Sequence, residues 1–459
     1  MNMRTSRKKS LLAILLFGAL FSPSWASALQ AQSLAPKTVA PKPAEPQTAQ
    51  GAVAGRRAPV LGTDYSFDSW PHPLIAGWQD KQRGDEMARA LKETGVRSIR
   101  FLFGGIYSPL GPEATARVKA ENKTTNEYPW FPIEDYINFI ASHDFTTVIG
   151  VNVEEGPEVA KEVVRKFIDS GQQSKIVAIE LSNEPWLNHR PWQPEEYAAR
   201  AADVIEALTP HGLRFALPLT VGNDNNTPTK LSDNQWNTRM LKAVSTRIDL
   251  KNRRDIYGVL HLYGRGVSAK TVEQFNKAVR PFSPHMRYLV TEFNIRLDLK
   301  GNPHLTNEYA MEFARKLADV MSAPEIEAMY VHSVPYHSIL YWANGKRIAT
   351  VIQHRDPRLT KADLTRGWHQ TPAGKVYAFY SRLAWNGEVI TFRGGDKQSH
   401  WAVRAPDGRL VVTILNDSSK ATKKRVTIEG REMTLTAPPR AIVCYDENGQ
   451  EIERLILQG

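Results

Sequence analysis

The sequence predicts an α/β protein: a (β/α)8 TIM barrel followed by a small antiparallel β-sandwich. Three observations carry that prediction. Between residues 58 and 383, short apolar runs alternate with longer helical segments through eight units. The first run leads into Asp64-Tyr65-Ser66-Phe67-Asp68, with none of the glycines that a doubly wound sheet uses to cradle a phosphate. Past residue 384 the period changes to short strand-like runs, many separated by Gly, Asp or Asn turns.

The units follow one another in order. Pro59 to Tyr65 reads as the first strand, and Asp80 to Thr94 as a helix with Met87, Ala90 and Leu91 on its apolar face. Val96 to Phe103 is the second strand, Ile133 to Ser142 a helix, and Thr146 to Val151 the third strand. Pro157 to Ser170 is a helix entered through Gly156-Pro157, because proline fits the first helical position. Strand Ile176 to Leu181 leads to helix Pro194 to Leu208, and strand Arg214 to Leu219 to helix Gln235 to Thr246. Strand Ile256 to Leu262 precedes helix Ala269 to Val279, and strand Arg287 to Thr291 precedes helix Asn307 to Met321. Ile326 to His332 is the eighth strand and Thr371 to Leu383 the closing helix, which runs into the sandwich without a flexible linker. The sandwich strands are read at Glu388 to Phe392, His400 to Arg404, Arg409 to Leu415, Lys424 to Ile428, Glu432 to Leu435, Arg440 to Tyr445 and Ile452 to Leu457.

The start of the chain has a different character. Residues 1–28 read as a secretory signal peptide: Arg4, Arg7, Lys8 and Lys9, then an apolar core from Leu11 to Leu20, then Ala26-Ser27-Ala28. That core is short for a membrane span, so export to the periplasm or beyond, without stable membrane insertion, is expected. Residues 29–57, rich in Ala, Pro and Gln, cannot bury enough apolar area to offset their ordering entropy and read as a disordered arm. Loss of the leader's four basic residues brings the formal charge of +11 to about +7. That surplus is spread out, with no basic tract interleaved with aromatics, so nucleic acid is not an expected partner. The single cysteine, Cys444, lies in the apolar run Ala441 to Tyr445 and reads as strand core. Oligomeric state is not legible.

Chemistry concentrates at two strand ends. Ile179-Glu180-Leu181-Ser182-Asn183-Glu184-Pro185 closes the fourth strand, and Tyr288-Leu289-Val290-Thr291-Glu292-Phe293 the seventh. Barrel active sites form at the carboxyl ends of the strands, and the fourth and seventh lie almost opposite across the rim. Two facing carboxylates are what glycosidic hydrolysis needs. Retention wants them about 5 Å apart, and inversion a wider gap. Glu154 and Glu155, after the third strand, are rival carboxylates. No His-Glu-x-x-His, calcium loop or nucleophile elbow is present, so neither a metal nor a cofactor is expected.

With these residues in view, the chain resembles the large clan of retaining glycoside hydrolases built on (β/α)8 barrels. The residues after 384 resemble the C-terminal β-sandwich of its xylosidase, arabinofuranosidase and glucuronidase-like families. The resemblance implies that Glu184 is the general acid/base and Glu292 the nucleophile, and that Asn183 bonds the sugar 2-hydroxyl. It further implies that His261 and Tyr263, on one side of the sixth strand, stand near the nucleophile. Arg100, in Ser98-Ile99-Arg100-Phe101, resembles the arginine that holds the nucleophile ionised, and so apolar a strand demands a carboxylate partner for it. Rings near the cleft suit carbohydrate: Trp130, Trp186, Trp192, Trp236, Tyr263, Tyr336 and Trp342, with Trp342 the expected floor of the cleavage subsite. Asp64, Asn152, Glu154, Glu155, Asn223, Asn225 and His332 are further expected polar contacts. The expected activity is hydrolysis of a β-linked oligo- or polysaccharide. Transglycosylation and non-catalytic carbohydrate binding are the alternatives. Arg265, Arg296 and the positive charge admit an acidic glycan.

Overall fold

The computed structural model describes residues 56–66, 81–102, 107–121, 130–187, 192–221, 231–264, 268–295, 305–332, 339–343, 366–390 and 400–457. Strand β1 is Arg56–Arg57. Eight strands then close into a parallel barrel: β2 (Val60–Ser66), β3 (Ser98–Leu102), β4 (Thr146–Val151), β5 (Ile176–Leu181), β6 (Phe215–Pro218), β7 (Ile256–Tyr263), β8 (Tyr288–Asn294) and β9 (Ile326–Val331). The last strand pairs with the first, so no edge is left to manage. The leader and most of the arm lie outside the described residues.

Helices α1 (Lys81–Glu93), α2 (Pro112–Glu121), α3 (Ile133–Ser142), α4 (Pro157–Asp169), α5 (Pro194–Leu208), α6 (Asp233–Val244), α7 (Ala269–Val279), α8 (Asn307–Met321) and α9 (Pro372–Ala384) connect and surround the barrel. Several are started by local chemistry. Ser232 and Gln235 form a reciprocal capping box on α6, while Thr306 and Thr371 cap α8 and α9. Gly156 enters α4 at φ +84°, a conformation a side chain would strain. Helix α2, inside the long connection after the second barrel strand, was not anticipated.

Period two sorts each barrel strand. On β5, Ile179 and Leu181 face the helices, while Ala178 joins Val148, Ala216, Val259, Leu289, Ala328 and Tyr330 in the barrel's interior. By the same alternation Glu180 points inward. At Gly62 a Cβ would lie 2.6 Å from both the Ser98 carbonyl and the Tyr330 ring, so only glycine lets Tyr330 cross the barrel there. A layer of Val, Ala and Leu side chains with Tyr330 thus fills the bottom and raises the charged residues to the top.

After the barrel come β10 (Leu340–Ala343) and β11 (Gly367–Gln370), a small antiparallel pair absent from the sequence reading. The C-terminal strands are β12 (Glu388–Ile390), β13 (His400–Arg404), β14 (Leu410–Asn416), β15 (Thr422–Ile428), β16 (Arg431–Ala437), β17 (Ala441–Tyr445) and β18 (Glu451–Ile456). Six strands make one sheet in the order β1-β12-β13-β14-β17-β18, and the β15–β16 hairpin covers one face through Val426, Ile428, Leu435 and Ala437. The opposite face packs on the barrel, with Trp401 edge-on to Tyr380 of α9. Arg56 and Arg57, at the end of the expected arm, pair with Val389 and Glu388 in this sheet. Cys444 is buried beside Thr413, and burial pushes its thiol up to about 12, in keeping with a core residue.

Candidate active site

Arg100 organises the mouth of the barrel. Its guanidinium is fully buried and reaches three carboxylates and an amide. Nε and Nη2 donate to Glu180 at 2.7 and 2.6 Å, Nη1 donates to Glu292 at 2.8 Å, and Nη2 also donates to Asn183 Oδ1 at 2.9 Å. Asp64 stands 3.5 Å from Nη1. Burial alone would lower the arginine's proton affinity, but the charges of Glu180 and Glu292 more than offset it, and the group is held more firmly protonated than usual. Glu180 is the residue the sequence reading passed over. Burial would raise its carboxyl, yet Arg100 and His261 bring it below the ordinary range.

The two strand-end glutamates reach the site by local distortions. After β5, Ser182 and Glu184 adopt φ of +70° and +40°, left-handed values that cost a non-glycine residue about 1 kcal/mol or more each. Ser182 is held by its N–H to the Val151 carbonyl (2.7 Å) and by its hydroxyl, which accepts from Val153 N–H (3.0 Å). The tight turn puts Asn183 toward Arg100 and leaves Glu184 partly exposed. On β8, the pairing with β7 slips between Leu260 and His261, so that His261 faces Glu292 and Thr291 is the extra residue. Such a bulge re-aims side chains, and here both Thr291 and Glu292 reach His261.

Glu292 is nearly buried. Its Oε1 accepts from Arg100 and its Oε2 from the Tyr263 hydroxyl, with His261 Nδ1 at 3.5 Å and His332 Nδ1 at 3.7 Å. Burial would raise its carboxyl, but the charges of His261, His332 and Arg100, with the Tyr263 bond, hold it far below the usual carboxylate range. His261 Nδ1 lies 2.9 Å from Glu184 Oε1, and Nε2 3.1 Å from Thr291 Oγ1. Burial pulls the imidazole down, while Glu292, Glu180 and Glu184 outweigh it and push it up to about 10. Tyr263 is driven upward by burial and then by Glu292, so it stays a neutral donor.

One oxygen each of Glu184 and Glu292, with a nitrogen of His261, lie within 4.8 Å of one another, as do ligand atoms of Asp64, Glu292 and His332. Either trio has the residue types for a cation. In both, however, Glu292 is already bonded by Arg100 and Tyr263, and in the first His261 is engaged at both nitrogens. The spacing suits two carboxyl groups that share one reacting centre.

Asp64, Arg100, Asn183, Glu184, His261, Tyr263, Glu292 and His332 therefore converge at the mouth of the barrel. Arg100 has the carboxylate partners its apolar strand demands, Glu180 and Glu292, and also bonds Asn183. Trp186 is corrected outright. It is 2% exposed and packs edge-on against Trp236, itself 1% exposed, so both belong to the core and not to the cleft wall. Trp192 is buried and donates to Glu154, and Trp130 donates to the Ser108 carbonyl at 3.1 Å. Trp342 lies on β10 opposite Trp368, but its side chain, like Tyr336, Asn223, Asn225, Arg265 and Arg296, is outside the described residues. Of the rival carboxylates, Glu155 is shut in by burial, which raises its carboxyl to about 7, and its Oε1 has no hydrogen-bond partner.

Residues 390–445 match the family model described as the Glycosyl hydrolase family 30 beta sandwich domain. No curated protein matches the chain by sequence. Among solved structures, an endo-β1,6-glucanase is similar over 87% of this chain and 91% of its own, at 12% identity and a TM-score of 0.56. A family 51 α-L-arabinofuranosidase from Thermotoga petrophila matches over 83% and 87%, at 12% identity and 0.56. The catalytic domain of the family 30 xylanase C from Talaromyces cellulolyticus matches over 85% and 97%, at 11% identity and 0.50. This chain shares its fold, a barrel followed by a C-terminal sandwich, with these glycoside hydrolases. The resemblance read from the strand-end glutamates thus extends to the fold and to the C-terminal sandwich.

Proposed function

We propose that this protein is a retaining glycoside hydrolase that cleaves β-linked oligo- or polysaccharide, with Glu292 as nucleophile and Glu184 as acid/base. The observation that carries this reading is the approach of the two carboxyl groups to within 4.8 Å. Inverting enzymes keep about 6.5–9.5 Å between them to admit a water, whereas a nucleophile and its acid partner stand about 5–5.5 Å apart. A non-catalytic binder has no need of a carboxylate held ionised beside a second one.

In the first step Glu292 attacks the anomeric carbon and the bond to the leaving oxygen breaks. Glu184 gives that oxygen a proton and is left as a carboxylate, which the 2.9 Å bond to His261 holds in place. In the second step Glu184 takes a proton from water, whose oxygen displaces Glu292 and restores it. Arg100 and Tyr263 stabilise the carboxylate that departs, which is where charge returns in the transition state. Asn183, fixed through its oxygen by Arg100, has its amide N–H groups left to meet a sugar hydroxyl.

Asp64, Glu180, Glu184 and Glu292 crowd the mouth, and Arg100 is spent on three of them, which favours a neutral sugar ring at the point of cleavage. The leader in residues 1–28 adds export, to the periplasm or outside the cell, to the proposal. A screen of aryl glycosides and polysaccharides against the native protein, Glu184→Gln and Glu292→Gln tests the reading. Proton NMR of the first-formed anomer should report retention, and turnover surviving in Glu292→Gln would sink the nucleophile assignment.

A further inference from the structure

We propose that His332, held by Asp64, is a positioning residue for the nucleophile: its imidazolium stands beside Glu292 Oε2 and keeps that oxygen ionised and directed. This rests on Glu292 being the nucleophile, and it gives His332 a task other than binding sugar.

The two oxygens of Glu292 have different keepers. Oε1 is bonded by Arg100 Nη1 at 2.8 Å. Oε2 is bonded by the neutral Tyr263 hydroxyl, and two imidazoles flank it, His261 at 3.5 Å and His332 at 3.7 Å. His261 is directed elsewhere, to Glu184 and Thr291. His332 Nδ1 lies 2.5 Å from Asp64 Oδ2, and Asp64 is buried and 3.5 Å from Arg100 Nη1. Arg100, Glu292, His332 and Asp64 therefore close a ring of alternating charge across the second, seventh, eighth and first barrel strands. A lone pair on Nδ1 would face two carboxylate oxygens, so that nitrogen carries hydrogen, and two anions in a low-dielectric pocket favour the second proton on the ring. The Tyr263 ring stands edge-on to the imidazole at 5.6 Å and 87°, which limits its rotation. Asp64, Glu292 and Tyr263 are the titratable groups that face His332 among the described residues, with Arg100 behind Asp64.

Coupling between two protonation sites is reciprocal: what His332 does for Glu292, Glu292 must do for His332. The test is nitrogen-15 NMR of the histidine-labelled full chain, with His332 identified by the signal lost in His332→Asn. In the native protein its ring should titrate above the ordinary histidine value of about 6.5. Glu292→Gln should lower its proton affinity about tenfold or more, and Asp64→Asn should lower it as well. A titration midpoint unchanged by Glu292→Gln overturns the proposal. In turnover, His332→Asn should move the acid limb of kcat/KM to higher pH, and His332→Lys, which returns a cation, should bring it back. A rise in KM with the acid limb unmoved also overturns it. Failure of the glycosidase reading would be seen separately, as no labelling of Glu292 by an activated 2-fluoro sugar, while the NMR coupling stays measurable without turnover.

Discussion

The barrel mouth and the C-terminal sandwich use charge in opposite ways. In the sandwich, ion pairs such as Arg425–Glu432 and Arg409–Asp407 lie on the solvent side, and the interior is Val, Ile, Leu and Ala from alternate strand positions. In the mouth, Arg100, Glu180 and Asp64 are at most 1% exposed and bond or pair with one another and with Glu292, Asn183 and two histidines. An exposed pair contributes little because water solvates each partner well, whereas a buried charge that loses its partner cannot recover its hydration. The sandwich is therefore tolerant and the mouth is not. A fold that needed only stability would place no arginine there, so the cost points to chemistry.

The contrast can be broken from the mouth outward. Glu292→Gln should have the largest effect, a loss of kcat on the order of 10⁴-fold or more on any substrate the native protein turns over, read by steady-state kinetics. Arg100→Met should come next: with Glu180 and Asp64 left without their cation, urea denaturation should show about 3–5 kcal/mol lost. Acidity should act on the same net. Glu292, whose folded-state carboxyl is depressed, contributes stability above about 4.5 that is lost as pH falls below it. His261, raised to about 10, contributes fully below about 6.5 and loses that contribution as pH climbs through 10. Thermal unfolding between pH 3 and 11 should thus fall at both ends, and His261→Asn should flatten the alkaline side.

Glu155 sits near the rim without belonging to the net. Burial raises its carboxyl to about 7, so its ionisation opposes folding at higher pH. Glu155→Gln should stabilise the protein by about 1–3 kcal/mol above pH 8 and by little at pH 5. Arg425→Gln in the sandwich should leave the denaturation midpoint where it was, since both it and Glu432 are well exposed.

What could be read in the sequence follows the same division. The eight barrel strands were legible because each is an apolar run between helical segments, and Glu184 and Glu292 because each ends such a run. His261 and Tyr263 came from the family resemblance, with period two placing both on one side of the strand. The same period would have found Glu180: with Ile179 and Leu181 outward, Ala178 and Glu180 must point in, and a lone carboxylate facing a barrel interior needs a cation such as Arg100. It was overshadowed by Glu184 four residues on. The turn at Ser182–Glu184 and the bulge at Thr291 leave no pattern in residue type, because tertiary bonds impose them. Trp186 misled for the opposite reason. A ring next to a strand-end glutamate reads as a sugar platform, but the turn at Glu184 sends it under the rim against Trp236. The edge strand Arg56–Arg57 has two charged residues and no apolar period, so only its partner β12 reveals it.

The central claim is that Glu292 forms a covalent bond to the sugar while Glu184 stands close enough to serve both steps. Incubation of the native protein with an activated 2-deoxy-2-fluoro glycoside, then peptide mass spectrometry, tests it most directly. One fluoro-glycosyl adduct on Glu292 is expected, formed far more slowly in Glu184→Ala unless the leaving group needs no proton. Turnover of the parent sugar with no adduct, or an adduct on Glu184 or Glu155, would contradict it.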